Sequence, residues 1–158
     1  VQGIALTKRF SWRLWLPVYY NGDVVSWLTR ATGDKSANRY VSAEADEEAM
    51  PHRDLLYGED LARGAVLIVE GPTDAWRLGP GAVATMGTSY NAAQVNRMAA
   101  YPVRAICFDN EPTAQQRARR LADDLSALPG ETAVVTLDSK DAATASDHDI
   151  DLIRRTFL

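Results

Sequence analysis

Acidic side chains follow three apolar runs of this sequence, at the point where each run ends. The runs are residues 65–69, 105–108 and 133–137, and they are apolar almost throughout. Runs of this kind predict buried strands of a parallel sheet that helices cover on both faces. The acids that follow them are Glu70 and Asp74, Asp109 and Glu111, and Asp138 and Asp141.

We expect these carboxylates to meet at one edge of the predicted sheet. In an open α/β sheet, the carboxyl ends of the strands line the ligand crevice. Carboxylates held close together repel one another unless a cation lies among them, and clustered oxygen ligands suit Mg²⁺ or Mn²⁺. The sequence therefore predicts a divalent-metal site that handles phosphate. After the last strand, either Asp138 or Asp141 could face this site.

Each candidate also has a simpler interpretation when it is considered alone. Glu70 could be an ordinary acid in a turn, and Asp74 could be a first-turn acid that the helix dipole favours. Lys140 could be a partner in a surface salt bridge. The occurrence of acids at three independent strand ends favours the metal site. In contrast, the acid-rich stretch 147–151 is better explained as the charged start of a last helix, capped near Ser146.

The composition limits the class of protein. The 158 residues are 46% hydrophobic, which is enough for an ordinary core, and the formal net charge is −4. Cys107 is the only cysteine, so this chain predicts no disulfide framework and no cysteine zinc site. We expect a cytoplasmic protein, bacterial or encoded by a phage or plasmid, with no membrane-spanning segment. Because the sequence starts at Val1 rather than at Met, we expect either an excerpt of a longer protein or a processed chain. A P-loop, a dinucleotide fingerprint and a nucleophile elbow are all missing from the sequence.

The predicted fold is α/β, with two parts. Residues 1–62 form a small α+β amino-terminal subdomain, in which two β-prone runs flank Asn21-Gly22 as a hairpin. Residues 63–158 alternate between strand and helix patterns and predict a mostly parallel sheet flanked by helices. The expected strands are 65–70, 82–86, 104–109 and 132–137, and the expected helices are 73–78, 91–100, 113–128 and 150–158.

The motifs of the second part resemble those of the TOPRIM domain. These motifs are Glu70-Gly71-x-x-Asp74, Gly87-Thr88 and Asp109-x-Glu111, and the similarity covers about residues 64–145. TOPRIM domains occur in bacterial and phage primases, in type IA and type II topoisomerases and in some nucleases. The resemblance implies a Rossmann-like TOPRIM fold.

The sequence on either side of these motifs is similar to that of the DnaG-type primases. The stretch 13–30 resembles their "R-hydrophobic-P-I … G-x-V … R" element, Leu56-Tyr57-Gly58 resembles "L-Y-G", and Lys140-Asp141 resembles "K-D-P". The resemblance implies an RNA polymerase core that makes short RNA primers on single-stranded DNA. Its expected partners are the template, ribonucleoside triphosphates, and a replicative helicase or a fused helicase domain.

The resemblance also implies roles for individual residues. It implies that Mg²⁺ or Mn²⁺ is the cofactor and that Glu70, Asp109 and Glu111 are catalytic, with Glu70 either binding metal or accepting the hydroxyl proton. The full set of implied metal ligands is Glu70, Asp74, Asp109, Glu111 and Asp141. The implied nucleic-acid or nucleotide contacts are Arg30, Lys35, Arg39, Lys140, Gly71 and Gly87.

The chain departs from the family pattern at two positions, which leaves other functions open. Glu111 stands where the family has aspartate, and Ala143 lies near the place of a further aspartate. A TOPRIM-type nuclease is the nearest alternative, because the same acids can cleave phosphodiesters. A non-catalytic module that binds single-stranded DNA or a helicase is another. A topoisomerase is disfavoured, because no room remains for a tyrosine-bearing domain.

Overall fold

The computed structural model describes residues 10–33, 38–87 and 89–158, and the chain forms two compact units. The first unit is Val1–His52 and the second is Arg53–Leu158. The sequence placed the boundary at 62/63. The segment 53–62 lies with the second unit, because Leu56 and Ala62 pack in its core and Tyr57 forms an antiparallel bridge with Ala84.

The first unit contains a three-stranded antiparallel sheet. Its strands are β1 (Arg13–Tyr20), β2 (Asp23–Ala31) and β3 (Tyr40–Ser42), in the order β1-β2-β3. The predicted hairpin is present, and Asn21 and Gly22 form its turn with φ values of 54° and 87°. Two consecutive positive φ values match the twist of a tight hairpin, which is why Asn-Gly is favoured there.

The second unit contains a parallel sheet whose strand order brings three acid-tipped strands side by side. The order is β5-β4-β6-β7, and every neighbouring pair is parallel. The strands are β4 (Ala65–Val69), β5 (Ala82–Ala84), β6 (Val103–Ile106) and β7 (Glu131–Val134). The helices are α1 (Pro72–Leu78), α2 (Ala92–Ala99), α3 (Pro112–Ser126) and α4 (Asp147–Phe157).

Both faces of this sheet are buried, which explains the continuous apolar runs. Leu67 and Val69 of β4 pack in one core with Leu78 of α1 and Ile153 of α4. Alternate residues of the same strand point to a second core, where Ile68 meets side chains of α2 and α3. Burial of each large aliphatic side chain contributes about 1.5–3 kcal/mol, so β4 is the hydrophobic centre of the unit. The α/β fold expected from the sequence is confirmed.

Side-chain caps determine where two of the helices begin. Asn91 and Gln94 form a reciprocal capping box at the start of α2. Ser146 caps α4, which begins at Asp147 rather than at Ile150, because the acidic first turn suits the positive end of the helix. The interpretation of residues 147–151 as a charged helix start is therefore correct. No helix in the described ranges has the length and apolar character needed to cross a bilayer.

The strands of the second unit are shorter than predicted at their carboxyl ends. β6 ends at Ile106 rather than at 109, and β7 ends at Val134 rather than at 137. Cys107 and Phe108 remain buried although both lie beyond the last residue of β6, and the Cys107 amide still donates to Ile68 O of β4 at 2.8 Å. Hydrophobicity alone therefore does not mark the point where the ladder ends.

A fully buried arginine holds the far end of the sheet. Arg104 of β6 has no exposed surface, and it donates hydrogen bonds to Thr132 Oγ1 at 3.0 Å, Pro129 O at 3.0 Å and Leu125 O at 3.4 Å. The last of these carbonyls lies at the negative end of α3, which favours a cation. Arg104 thereby joins α3, the following turn and β7.

We expect Arg104→Ala to lower the free energy of unfolding by about 3 kcal/mol or more, because it opens a cavity and leaves buried carbonyls without donors. Urea unfolding followed by circular dichroism measures the loss. Arg155→Ala, on the exposed side of α4, is the control and should change stability by less than about 0.5 kcal/mol. Equal effects of the two substitutions would show that Arg104 is not a structural anchor.

Candidate functional site

The carboxyl ends of β4, β6 and β7 carry the predicted acids at one edge of the sheet. β6 lies between β4 and β7, so the residues that follow these strands are neighbours in space. Glu70 follows β4, Asp109 and Glu111 follow β6, and Asp141 lies in the loop after β7. We call Glu70, Asp74, Asp109, Glu111 and Asp141 the carboxylate cluster.

Asp109 lies at the electrostatic centre of the carboxylate cluster. Burial and the negative charges of Glu70, Asp74, Asp141 and Glu111 together raise the pKa of Asp109 to about 6. The ordinary value for an aspartate is close to 4. All four other members thus act on this one side chain, which makes the deprotonated form of Asp109 costly without a cation.

Asp74 is the most buried member, with only 8% of its surface exposed. Burial is the main cause that raises the pKa of Asp74, and the charge of Asp141 adds to it. Backbone hydrogen bonds oppose this shift, including one from the amide of Ala143 to Asp74 Oδ1 at 3.0 Å. The position where the family resemblance expects a further aspartate therefore contributes a backbone donor to Asp74.

Glu70 is held by an arginine that the sequence analysis did not select. Arg117 Nη2 donates to Glu70 Oε2 at 2.9 Å, and 15% of the Glu70 side chain is exposed. The other oxygen, Oε1, is buried and has no hydrogen-bond partner among the described residues. An unpaired buried carboxylate oxygen is costly, and a cation at that point would remove the cost.

Glu111 and Lys140 form an exposed pair at the rim of the carboxylate cluster. Lys140 Nζ lies 3.7 Å from Glu111 Oε1, and more than half of each side chain is exposed. Their loops are joined more firmly by the backbone, since the Asn110 amide donates to Lys140 O at 2.7 Å and Asn110 Nδ2 donates to Leu137 O at 2.8 Å. Asn110 thus connects the loops that follow β6 and β7.

Asp141, rather than Asp138, belongs to the carboxylate cluster. The charge of Asp141 contributes to the raised pKa values of both Asp74 and Asp109. Asp141 Oδ1 also accepts from the Thr144 amide at 2.9 Å and caps the short 3-10 turn Ala142–Thr144. Asp138 is exposed and lines a shallow cavity against α4 with Leu152 and Phe157. The structure thereby decides the alternative that the sequence left open.

The carboxylate cluster has the donor chemistry that a divalent cation needs. All of its candidate ligands are carboxylate oxygens, and one of them, Glu70 Oε1, is buried without a partner. Hard oxygen donors of this kind suit Mg²⁺ or Mn²⁺. No group of three or more potential ligands within the described part of the chain is already closed into a metal-binding arrangement. The residues therefore fit a metal by their chemistry, and some side chains would have to move to coordinate it.

The predicted glycines lie beside the carboxylate cluster. Gly71 caps α1 with an extended φ of −117°, and its carbonyl accepts from the amides of Asp74 and Ala75. Gly87 is exposed, and a Cβ added there would meet only Ser89 O at 3.8 Å among the described atoms. Neither position requires glycine for its backbone conformation. Their role near a ligand stays a prediction, and Thr88 lies outside the described residues.

Three of the four basic residues predicted to contact nucleic acid or nucleotide belong to the first unit, and the fourth is Lys140. The Arg30 guanidinium lies over the ring of Tyr40 at 5.9 Å, whereas Lys35 lies outside the described residues. Arg39 is exposed, and its carbonyl accepts from Arg13 Nη2 at 3.1 Å. Arg13, which is 93% buried, thereby supports the loop that ends at β3. The role of these residues in binding nucleic acid stays a prediction.

Two residues of the second unit that support the site were not singled out from the sequence. Gln115 is buried in α3, and its Nε2 donates to the carbonyls of Phe108 and Asp109 at 3.2 and 3.1 Å. Arg117 follows two positions later and reaches Glu70. The only sequence signal for Gln115 was a polar residue beside the apolar stripe of α3, and Arg117 resembled any other arginine on that helix.

The fold is that of primase catalytic cores. The chain is similar to the E. coli primase catalytic core, with 23% identity and a TM-score of 0.74 over 95% of this chain and 54% of that one. It is also similar to the Aquifex aeolicus primase fragment with zinc-binding and RNA polymerase domains, with 19% identity and a TM-score of 0.78 over 96% of this chain and 42% of that one. The expected resemblance to DnaG-type cores is confirmed for the fold.

A phage protein shares the same fold. The primase fragment of the bacteriophage T7 primase-helicase protein matches with 20% identity and a TM-score of 0.64, over 87% of this chain and 58% of that one. The chain thus spans about half the length of the solved structures that it matches. No family model and no curated protein matches the sequence.

We expect Asp109→Asn to stabilise the metal-free protein at pH 7.5, because it removes a charge that four other carboxylates oppose. The pKa of Asp109 is raised to about 6 in the folded protein, so its deprotonation destabilises the fold as pH rises from about 4 to 6. The gain should be about 1–2 kcal/mol at pH 7.5, since solvent screening reduces the full effect, and should vanish near pH 4.

Thermal unfolding of wild type and variant in EDTA, at pH values from 4 to 8, measures this difference. Asp151→Asn, on an exposed position of α4, is the control and should change stability at pH 7.5 by less than about 0.5 kcal/mol. A variant that is less stable than wild type at pH 7.5 would show that the carboxylate cluster does not strain the metal-free fold.

Proposed function

We propose that this chain is the catalytic part of a DNA primase, which makes short RNA primers on single-stranded DNA by metal-dependent nucleotidyl transfer. The observation that carries the proposal is the carboxylate cluster at the carboxyl edge of a parallel sheet, where burial and four other acids raise the pKa of Asp109. The similarity of the fold to that of solved primase cores supports it.

Five carboxylates would hold the metal. A bound Mg²⁺ or Mn²⁺ would supply Lewis-acid stabilisation for the attacking hydroxyl and the pyrophosphate leaving group. Asp109 and Asp74 would form the inner part of the site, because Asp74 is buried and neither residue has an arginine or lysine partner among the described residues. The outer ligands would be Glu70, Glu111 and Asp141.

The rest of the site positions and neutralises charge. Gln115 holds the carbonyls of Phe108 and Asp109, so it orients the backbone on which Asp109 lies. Asn110 holds the loops after β6 and β7 together, and this fixes Asp109 relative to Asp141. Positioning and electrostatic stabilisation are the main contributions that a protein makes to phosphoryl transfer.

Glu111 and Lys140 would act at the entrance. Both are more than half exposed, so they can change partners when a nucleotide arrives. Glu111 has one methylene more than the aspartate of the family pattern, and its position at the exposed rim can accommodate that length. Lys140 would bind a phosphate of the ribonucleoside triphosphate, as the resemblance implies.

The first unit would supply contacts to the template through Arg30, Lys35 and Arg39. Lysine and arginine side chains provide most of the affinity of proteins for the phosphate backbone. Because the chain spans about half of the proteins that it matches, the helicase partner or fused helicase domain is part of this proposal. The T7 protein is by its own description a primase-helicase.

We expect Asp109→Asn to abolish primer synthesis, with a loss of at least about 100-fold, because the amide removes the charge at the centre of the carboxylate cluster. Incorporation of labelled ribonucleotides on single-stranded DNA with Mg²⁺ or Mn²⁺ measures the activity. Asp138→Asn is the matched control, since Asp138 follows the same sheet edge and lies outside the carboxylate cluster.

Two other results would replace the proposal. Metal-dependent nicking of supercoiled plasmid without primer synthesis, lost in Asp109→Asn, would identify a TOPRIM-type nuclease. Binding of single-stranded DNA without any binding of divalent metal would identify a non-catalytic module. Full primer synthesis by Asp109→Asn would contradict the assigned site.

A further inference from the structure

The ion pair between Arg117 and Glu70 differs from the other contacts of the carboxylate cluster. Arg117 reaches from the second turn of α3 to Glu70 at the end of β4, and the two residues are 47 positions apart in sequence. About a third of the Arg117 side chain is exposed, whereas only 15% of the Glu70 side chain is. The arginine is thus the more exposed member of the pair, and the acid is the more buried one.

Positive charge is placed at the rim of the carboxylate cluster and not at its centre. Glu70 has Arg117 and Glu111 has Lys140, whereas neither Asp74 nor Asp109 has an arginine or lysine partner among the described residues. Four other acids repel the charge of Asp109, so a structural counter-ion at that position would stabilise the fold. The central position is therefore left for a cation that comes from solution.

We propose that Arg117 is an exchangeable counter-ion, which neutralises Glu70 in the metal-free protein, is displaced when a divalent cation binds, and then binds nucleotide phosphate. This inference rests on the proposed function and adds a specific residue to it. Glu70 Oε2 accepts from Arg117, whereas Oε1 is buried and has no hydrogen-bond partner in the described part of the chain, so Oε1 is available to a cation.

Electrostatics decides the direction of the effect on metal binding. A guanidinium that contacts a metal ligand repels a divalent cation, and this repulsion is strong because Glu70 lies largely out of water. The opposite effect, in which Arg117 aids metal binding by orienting Glu70, depends on a single hydrogen bond and is smaller. Removal of Arg117 should therefore strengthen metal binding.

The chemistry of arginine favours phosphate as the second partner. Its planar guanidinium stays charged at all physiological pH values and presents paired donors that match phosphate oxygens. The side chain is one-third exposed, so it can leave Glu70 without crossing the core. Metal and phosphate would thus bind together. The cation would bind the Glu70 carboxylate, and the Arg117 guanidinium that it displaces would bind the phosphate.

Titration of Mn²⁺ followed by electron paramagnetic resonance tests the first step without measuring catalysis. We expect Arg117→Ala to bind Mn²⁺ about three- to tenfold more tightly than wild type. Arg117→Lys, which keeps the charge, should stay close to wild type. Arg119→Ala is the matched control, because it removes the same charge from an exposed position of the same helix, and it should leave the affinity unchanged.

A double-mutant cycle protects the test against folding defects. In a Glu70→Gln background the carboxylate is absent, so Arg117→Ala should no longer strengthen Mn²⁺ binding. Calorimetric titration with manganese tripolyphosphate tests the second step. Both proteins are first saturated with Mn²⁺, and we then expect Arg117→Ala to bind this probe at least about threefold more weakly than wild type.

The outcomes separate the two proposals. Equal or weaker Mn²⁺ binding by Arg117→Ala, beside clear binding by wild type, would overturn the exchange and leave the primase proposal standing. Unchanged tripolyphosphate binding would overturn the phosphate step. Absence of Mn²⁺ binding in wild type and in Arg117→Ala would overturn the metal-dependent function, and the exchange with it.

Discussion

Mutual repulsion of carboxylates at the edge of a parallel sheet is the constraint on which this structure depends. β4, β6 and β7 are adjacent, so the residues that follow them lie close together. Four other acids repel the negative charge of Asp109 and contribute to its raised pKa. Burial keeps water from screening this repulsion, as it does at Asp74. A fold that holds such charges together is less stable than one without them, and proteins retain this kind of strain where it serves a ligand.

The rest of the second unit supplies the stability that offsets this repulsion. β4 is buried on both faces, and two cores formed with the surrounding helices hold the sheet in place. Arg104 joins the end of α3 to β7 near the amino ends of β6 and β7. The acids follow the carboxyl ends of the strands, so Arg104 acts at the other end of the sheet. Close to the acids, the side chains of Gln115 and Asn110 donate hydrogen bonds to backbone carbonyls and do not neutralise the carboxylates. The scaffold is thus rigid while the central charges stay without a built-in counter-ion.

The solved primase cores share this fold at 19–23% identity, so the fold survives when most side chains change. Two differences from the family pattern have understandable positions here. Glu111 lies at an exposed rim, where an extra methylene meets no packed neighbour that would exclude it. Ala143 contributes its backbone amide to Asp74, so its small side chain does not leave that acid without a partner. Glu111 and Ala143 thus change the surroundings of the central acids, and both are compatible with a working site.

The sequence by itself determined the α/β class, the Asn21-Gly22 hairpin, the alternation of strands and helices, and the acids at the strand ends. These follow from local rules, because side-chain period, turn chemistry and capping act over a few residues. The sequence misjudged the carboxyl ends of β6 and β7, since apolar residues continue beyond both strands and Cys107 and Phe108 are buried although they follow the last residue of β6. Only the tertiary structure selected Asp141 over Asp138, assigned residues 53–62 to the second unit, and paired Glu70 with Arg117. Those outcomes depend on strand order and on contacts between residues far apart in sequence, and no local pattern encodes them.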